Sequence, residues 1–177
     1  AFYLGAVKLM KRLEGVGLPI CKPEIASPED RTMRAAGFFN LQLALRMIRE
    51  HENTKLDGSG GGPRLILNDV DFGESGRIFV LTGPNQGGKT TFTQGIGLVH
   101  VIVQAGLFAP AEAAILSPVD QICTHFPAEE RGQLETGRLG EEAGRLREIF
   151  HQITGRSLVL LNESLSSTSP AEAGYIA

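Results

Sequence analysis

The chain has 177 residues, of which 42% are hydrophobic and 21% are charged, and its formal net charge is −3. This composition supports a folded core and excludes a disordered chain. No long block of Lys and Arg is present, so the chain lacks the overall basic character of a nucleic-acid-binding domain. No apolar run reaches the length of a membrane span. Cys21 and Cys123 are far apart and in no metal-ligand spacing, which predicts free thiols in a reducing cytoplasm.

The chain begins with an apolar pattern at helical spacing, formed by Phe2, Ala6, Leu9, Met10 and Leu13. It predicts an amphipathic helix that ends near residues 15–17. The pattern fits the end of a longer helical arm and an ordinary terminal helix packed on the domain equally well. Because the chain starts without Met inside this pattern, we expect a fragment of a longer protein.

The segments before residue 77 predict a mixed α/β start. Three prolines make residues 18–30 irregular or strand-like, and residues 31–52 are predicted to be mostly helical. The Gly-rich stretch 53–63 indicates a surface loop. Residues 64–70 are expected to form a strand, followed by a turn over residues 71–76.

Residues 83–90 fit the pattern G-x-x-x-x-G-K-[ST], which is the phosphate-binding loop of nucleotide hydrolases. The preceding run 77–82 is apolar and predicts a buried strand, and a helix is expected from the loop to Gln104. Glycines in such a loop let backbone N–H groups turn toward phosphate oxygens, and the helix dipole favours the anion. We expect Lys89 to reach the β- and γ-phosphates and the Thr90 hydroxyl to bind Mg²⁺.

The second half of the chain predicts the remaining parts of an α/β domain. The predicted features are a break at 105–111, short strands at 113–116 and 121–126, a surface loop at 127–136, a helix at 137–154 and a buried parallel strand at 157–161.

Asn162 and Glu163 follow the last of these strands directly, at its carboxyl end, where α/β sheets bind ligands. A Walker B element has four apolar residues followed by Asp and often Glu. Glu163 is therefore expected to orient the attacking water. Asn162 occupies the position of the metal-binding Asp. Its side-chain amide offers one oxygen to a metal but lacks the negative charge of a carboxylate. The alternative for Glu163 is a helix-capping or salt-bridged surface acid.

Several of these segments together resemble the MutS family of mismatch-repair ATPases. Residues 82–91 resemble its nucleotide loop, T-G-P-N-x-x-G-K-[ST]-T, and residues 67–69 resemble the V-P-N-D segment before that loop. Residues 104–111 resemble Q-x-G-x-F-V-P-A, and residues 160–163, with Thr168 and Ser169, resemble L-x-D-E-x-x-x-G-T-S.

The resemblance implies a P-loop NTPase of the ABC-ATPase type, an α/β fold with a mixed sheet flanked by helices. Residues 1–17 would be the end of a helical lever and residues 18–177 the ATPase domain. It implies ATP and Mg²⁺ as cofactors, with Thr90 and Asn162 on the metal and Lys89 and Glu163 in catalysis. Nucleotide contacts are expected from Gly83, Pro84, Asn85, Gln86, Gly87, Gly88, Lys89, Thr90 and Thr91.

The resemblance also implies a head-to-tail homodimer in which each nucleotide lies between the loop of one subunit and a signature, S-T-F-x-x-E, of the other. The matching residues here are 137–142, of which only Glu142 agrees, although Arg138 could also meet a phosphate. Leu65 lies near the position of an aromatic residue that stacks on adenine in the family. DNA contacts are expected mostly from regions outside this chain, and no contact with a membrane is expected.

The function expected from the sequence is an ATP-binding and ATP-hydrolysing module of a MutS-like DNA-repair protein, coupling nucleotide state to dimer closure and to DNA binding. One alternative is a nucleotide-gated dimerisation or clamp module with little or no hydrolysis, because Asn162 weakens the metal site. Another ABC-type or SMC-like ATPase is the third possibility.

Overall fold

A computed structural model of the chain describes residues 2–54, 65–73, 76–126 and 138–163. The chain divides into two compact units, Ala1–Pro118 and Val119–Ala177. The first unit contains α1 (Phe2–Glu14), β1 (Glu24–Ile25), β2 (Met33–Phe38), α2 (Leu41–Thr54), β3 (Asn68–Phe72), α3 (Lys89–Gln104) and β4 (Ala113–Leu116). The second unit contains β5 (Ile122–His125), α4 (Arg138–Gln152) and β6 (Leu158–Leu161). The chain therefore has a mixed α/β fold.

The first unit is built on a mixed four-stranded sheet with the strand order β1-β4-β2-β3. β1 runs parallel to β4, whereas β2 is antiparallel to both of its neighbours. Met33 and Ala35 of β2 are buried while Arg34 and Ala36 are exposed, as expected for a strand with one face on the core. A bulge near Gly37, whose φ is 60°, ends this alternation just before the chain enters α2.

The helix α1 packs against α2 through a hydrophobic cluster. The buried members of the cluster are Leu13, Leu18, Phe39, Leu41, Ala44 and Ile48. An ion pair between Arg12 and Glu52 joins the exposed sides of the same two helices. Gly17 follows α1 with a φ of 77°, and the Leu18 N–H donates to the Leu13 carbonyl at 3.0 Å. The predicted amphipathic helix and its end are thus confirmed, while its role as the end of a lever stays a prediction.

Two expectations for the segment before residue 77 are wrong in part. Residues 33–38 form a strand rather than the start of a long helix, and the helix begins only at Leu41. The apolar residues of 31–52 fit a helical repeat, but pairing of β2 with β3 and β4 outweighs that local preference. The strand expected at 64–70 is shifted, since β3 is Asn68–Phe72, and residues 65–67 lie outside it. The Gly-rich stretch falls largely outside the described residues.

The buried strand predicted for residues 77–82 is also wrong. These residues form no strand, and Ile78 and Val80 are 90% and 84% exposed. A buried parallel strand needs ladder partners, and the described sheet of this unit ends at β3 without pairing to this run. Within this run, Phe79 packs on Phe72 of β3, with 4.4 Å between the two ring centroids.

The second unit has a parallel pair of strands, β5 and β6, with Ile122 opposite Leu158 and His125 opposite Leu161. The predicted strands and the helix α4 are confirmed. The predicted burial of β6 holds for Leu160, whereas Leu161 is 40% exposed. The loop predicted at 127–136 lies outside the described residues.

The start of β6 is fixed by Asp120, whose carboxylate accepts hydrogen bonds from the hydroxyl groups of Thr154 and Ser157. These hydrogen bonds, that from Thr154 first, lower the pKa of Asp120. The turn between α4 and β6 is therefore tied to the residues just before β5.

Of the helices in the described ranges, none combines the length and the hydropathy that crossing a bilayer requires.

Candidate functional site

The loop before α3 bends back on itself at its centre. The N–H of Gly87 donates to the Pro84 carbonyl at 3.1 Å, which closes a turn over Asn85 and Gln86. A Cβ at Gly87 would lie 2.9 Å from that carbonyl oxygen, so the turn requires glycine there. Gln86 and Gly88 adopt left-handed conformations with φ of 65° and 86°. The motif thus produces a tight, exposed loop that ends on the first residue of a helix.

Lys89 is the first residue of α3, and its side chain folds back over the loop. Its Nζ donates to the carbonyl oxygens of Gly83 at 2.9 Å and Pro84 at 2.8 Å. The positive charge is therefore held beside the residues whose N–H groups are expected to meet phosphate.

The N-terminus of α3 suits an anion. Its N-cap is Gly88, which makes no side-chain cap hydrogen bond, and its first turn contains no acidic residue. The first turn instead carries Lys89 and the hydroxyl groups of Thr90 and Thr91. Backbone N–H groups, a helix dipole and a cation at one place are what polyphosphate binding needs. The tight turn at Gly87 leads directly into this helix start. The residues present are therefore compatible with the phosphates of a nucleotide.

Asn162 and Glu163 lie directly after β6 in the second unit. The Asn162 N–H donates to the His125 carbonyl at 2.9 Å, which extends the β5–β6 ladder by one residue. Glu163 is exposed and has a φ of 49°, a conformation that non-glycine residues rarely adopt. Lys89 and Thr90 belong to the first unit. That these residues join Asn162 and Glu163 in one catalytic site stays a prediction.

The residues predicted to act across a dimer are only partly described. The helix α4 begins at Arg138, as expected for the signature helix, and Gly137 lies outside the described residues. Its first turn contains Glu141, whose negative charge opposes phosphate binding at this helix start.

Leu65, at the position expected for adenine stacking, packs against the hydrophobic cluster of α1 and α2. Its side chain therefore contributes to the core of the first unit.

A buried histidine in α3, His100, is separate from these residues. It is 2% exposed, its Nδ1 has no hydrogen-bond partner within the described part of the chain, and burial lowers its pKa to about 4. No group of three or more His, Cys, Asp or Glu side chains that could hold a metal ion occurs among the described residues.

Sequence reasoning missed the contacts that hold the start of α3. The Asn40 side chain donates to the Thr91 carbonyl at 3.0 Å, and the ring of Phe38 lies edge-on to that of Phe92 at 5.1 Å. Both Asn40 and Phe38 fell inside the helix expected at 31–52. The available signal was Asn40 itself, because Asn directly before an apolar periodic run is a common helix N-cap.

Comparison with known proteins identifies the family. The profile described as MutS domain V matches residues 79–177, which include the loop, α3 and the end of β6. Endonuclease MutS2 from Thermus thermophilus is 34% identical over 114 residues, which is 64% of this chain and 15% of that protein. The chain belongs to the MutS family, and the matched region is part of its ATPase domain. The chain thus spans about 15% of the length of this curated relative.

Proposed function

We propose that this chain is the nucleotide-binding part of an ABC-type ATPase domain in a MutS-like DNA-repair protein, and that it binds and hydrolyses ATP. The observation that carries the proposal is the loop at 83–88, which ends on an acid-free helix start with the Lys89 ammonium beside it. Membership of the MutS family supports the same function.

In the proposed site, the N–H groups of residues 83–91 and the Lys89 ammonium bind the phosphates of ATP. The Thr90 hydroxyl and the side-chain oxygen of Asn162 would be ligands for Mg²⁺, which takes oxygen donors. When bound, Mg²⁺ offsets the negative charge that develops on the phosphate oxygens. The carboxylate of Glu163 orients the attacking water and accepts its proton.

Nucleotide state would control the association of two copies and the affinity of the whole protein for DNA. ATP would close a homodimer in which each nucleotide lies between one loop and the start of α4 of the other copy. The fit of the matched region to MutS domain V supports a role in mismatch repair or recombination. DNA contacts would come mostly from parts of the protein outside this chain. We propose that the protein acts in the cytoplasm, where Cys21 and Cys123 would stay free thiols.

Steady-state phosphate release by the full-length protein, with and without DNA, tests the ATPase proposal. We expect Mg²⁺-dependent turnover that is lost in Lys89→Ala. Turnover no higher than that of Lys89→Ala would exclude hydrolysis at this site.

A second function is favoured by Asn162, which lacks the charge of an aspartate ligand. The chain would then be a nucleotide-gated dimerisation or clamp module with little or no hydrolysis. The full-length protein would bind ATP and dimerise with it in analytical ultracentrifugation, but release no phosphate.

Gel shifts separate the possible DNA substrates. Homoduplex, mismatched and branched DNA of equal length are compared with and without ATP. Preference for the mismatch supports mismatch repair, and preference for branched DNA supports recombination.

A further inference from the structure

The amide group of Asn40 connects the starts of two helices. Its Oδ1 accepts the N–H of Leu43 at 3.0 Å and so caps α2, while its Nδ2 donates to the Thr91 carbonyl at 3.0 Å. Asn40 is only 6% exposed, so both hydrogen bonds are shielded from water. Thr91 is the third residue of α3, in the same turn as Lys89 and Thr90.

Close packing surrounds this hydrogen bond. Gly95 lies about one turn beyond Thr91 on α3, and a Cβ there would lie 3.1 Å from Cε2 of Phe38 and 3.5 Å from the backbone nitrogen of Asn40. The fully buried Phe38 ring also meets the Phe92 ring at 5.1 Å. The absence of a side chain at Gly95 thus allows the corner between β2 and α2 to approach the backbone of α3.

The loop before α3 is exposed, and the first turn of α3 connects it to the core of the first unit. Residues 81–88 are all exposed, whereas the residues from Lys89 onward become increasingly buried. The backbone positions of Lys89 and Thr90 are therefore set by the first turn of α3, on which the Asn40 corner packs. The Lys89 ammonium is held in addition by the loop carbonyls of Gly83 and Pro84.

We propose that Asn40 is a positioning residue for nucleotide binding, which fixes the first turn of α3 through the Thr91 carbonyl and so aligns Lys89 and Thr90. It acts through the backbone of α3 and needs no contact with nucleotide. The expected effect on nucleotide affinity rests on the proposed function. The expected effect on the first turn of α3 does not depend on it.

Two substitutions separate the link to α3 from the cap of α2. Asn40→Ser keeps a good N-cap acceptor but is too short to reach Thr91, and it introduces no charge. Asn40→Asp also keeps the cap, and it replaces the donor with an oxygen that faces the Thr91 carbonyl. Asn53→Asp, at the exposed end of α2, is the matched control for the change of charge. If Asn40→Asp fails to fold, Asn40→Ser decides the question.

Binding of a slowly hydrolysed fluorescent ATP analogue with Mg²⁺ to the full-length protein gives the first measurement. We expect both Asn40 variants to bind about tenfold more weakly than the unsubstituted protein, since one buried hydrogen bond is lost. The Asn53→Asp control should bind normally. Affinities within about twofold of the unsubstituted protein in a folded Asn40→Ser variant would overturn the proposal.

Amide hydrogen exchange without nucleotide gives the second measurement. We expect faster exchange at Phe92 and Thr93 near the start of α3, and unchanged exchange at Leu43 and Ala44 in α2. The opposite pattern would show that Asn40 only caps α2, and would overturn the proposal. If the unsubstituted protein binds no ATP, the proposed function fails, and the exchange data still decide whether Asn40 fixes α3.

Discussion

The side-chain ammonium of Lys89 lies 2.9 Å from the carbonyl oxygen of Gly83, the first residue of the loop before α3. A second carbonyl, that of Pro84, accepts from the same ammonium at 2.8 Å. A lysine ammonium has three donors, so these two bonds leave one N–H group for a phosphate oxygen. The backbone carbonyls of the loop therefore fix the position of the Lys89 ammonium.

Lys89→Ala is expected to weaken ATP binding by about two orders of magnitude, because hydrogen bonds to charged groups are the stronger ones. The two bonds of Lys89 lie in an exposed loop, so the melting temperature should hardly change. Isothermal titration with ATP and a thermal melt check the two parts. Lys22→Ala, on an exposed segment before β1, is the control for loss of one positive charge. Equal losses of affinity in both variants would contradict a specific role for Lys89.

Glu163→Gln is expected to retain ATP binding and to lose phosphate release by roughly 10²–10³-fold, because glutamine cannot accept a proton from water. The exposed backbone of Glu163, with a φ of 49°, accepts glutamine as readily as glutamate. Phosphate release and nucleotide titration are measured on the same preparation. Glu148→Gln, on the exposed side of α4, is the control. Full turnover in Glu163→Gln would assign this residue to the surface, as a capping or ion-paired acid.

Asn162→Asp is expected to lower the Mg²⁺ concentration needed for half-maximal activity, because a carboxylate is a stronger ligand for a hard cation than an amide oxygen. The backbone N–H of Asn162 donates to the His125 carbonyl, and the substitution leaves that bond intact. A Mg²⁺ titration of phosphate release measures the change, with Asn53→Asp as the control. A higher Mg²⁺ requirement or a fall in activity would show that the side chain of Asn162 is not a metal ligand.

Local sequence accounts most directly for the tight turn before α3, because the contacts of Gly87 and Lys89 are with near neighbours in the chain. Gly87 closes a turn with a neighbour three positions away, and Lys89 bonds to carbonyls within the same loop. Such contacts need no knowledge of the rest of the fold. Helices with a strong periodic pattern, such as α1, were predicted for the same reason.

Residues 31–38 show what local patterns cannot predict. Met33–Phe38 contains two alanines and a glycine, which have low strand propensity, and it forms a strand only because β3 and β4 pair with it. Asn40 lies just after that strand, so the strand places it beside Thr91. The two residues are far apart in sequence, and no local pattern could predict their contact. The exposed run at 77–82 shows the opposite error. Its apolar pattern predicts a strand, but the described sheet contains no strand that pairs with it.

His100 gives a prediction for the effect of pH on stability. Burial lowers its pKa from 6.5 to about 4, so the unfolded chain binds a proton between these pH values while the folded protein does not. Stability rises with pH wherever the unfolded state binds more protons. The free energy of unfolding should therefore fall as the pH falls from 6.5 to 4, by up to about 3 kcal/mol from this group.

Urea denaturation followed by circular dichroism over this pH range checks the effect, and His100→Leu removes the titrating group. Leucine fills a similar volume and leaves no unpaired Nδ1, so its stability should equal or exceed that of the unsubstituted protein at pH 7. Its pH dependence between 6.5 and 4 should be flatter than that of the unsubstituted protein. The lowered pKa of Asp120 removes stability progressively from about pH 5 downward, but this contribution is the same in both proteins and cancels in the comparison. An identical slope in His100→Leu and the unsubstituted protein would mean that folding does not lower the pKa of His100.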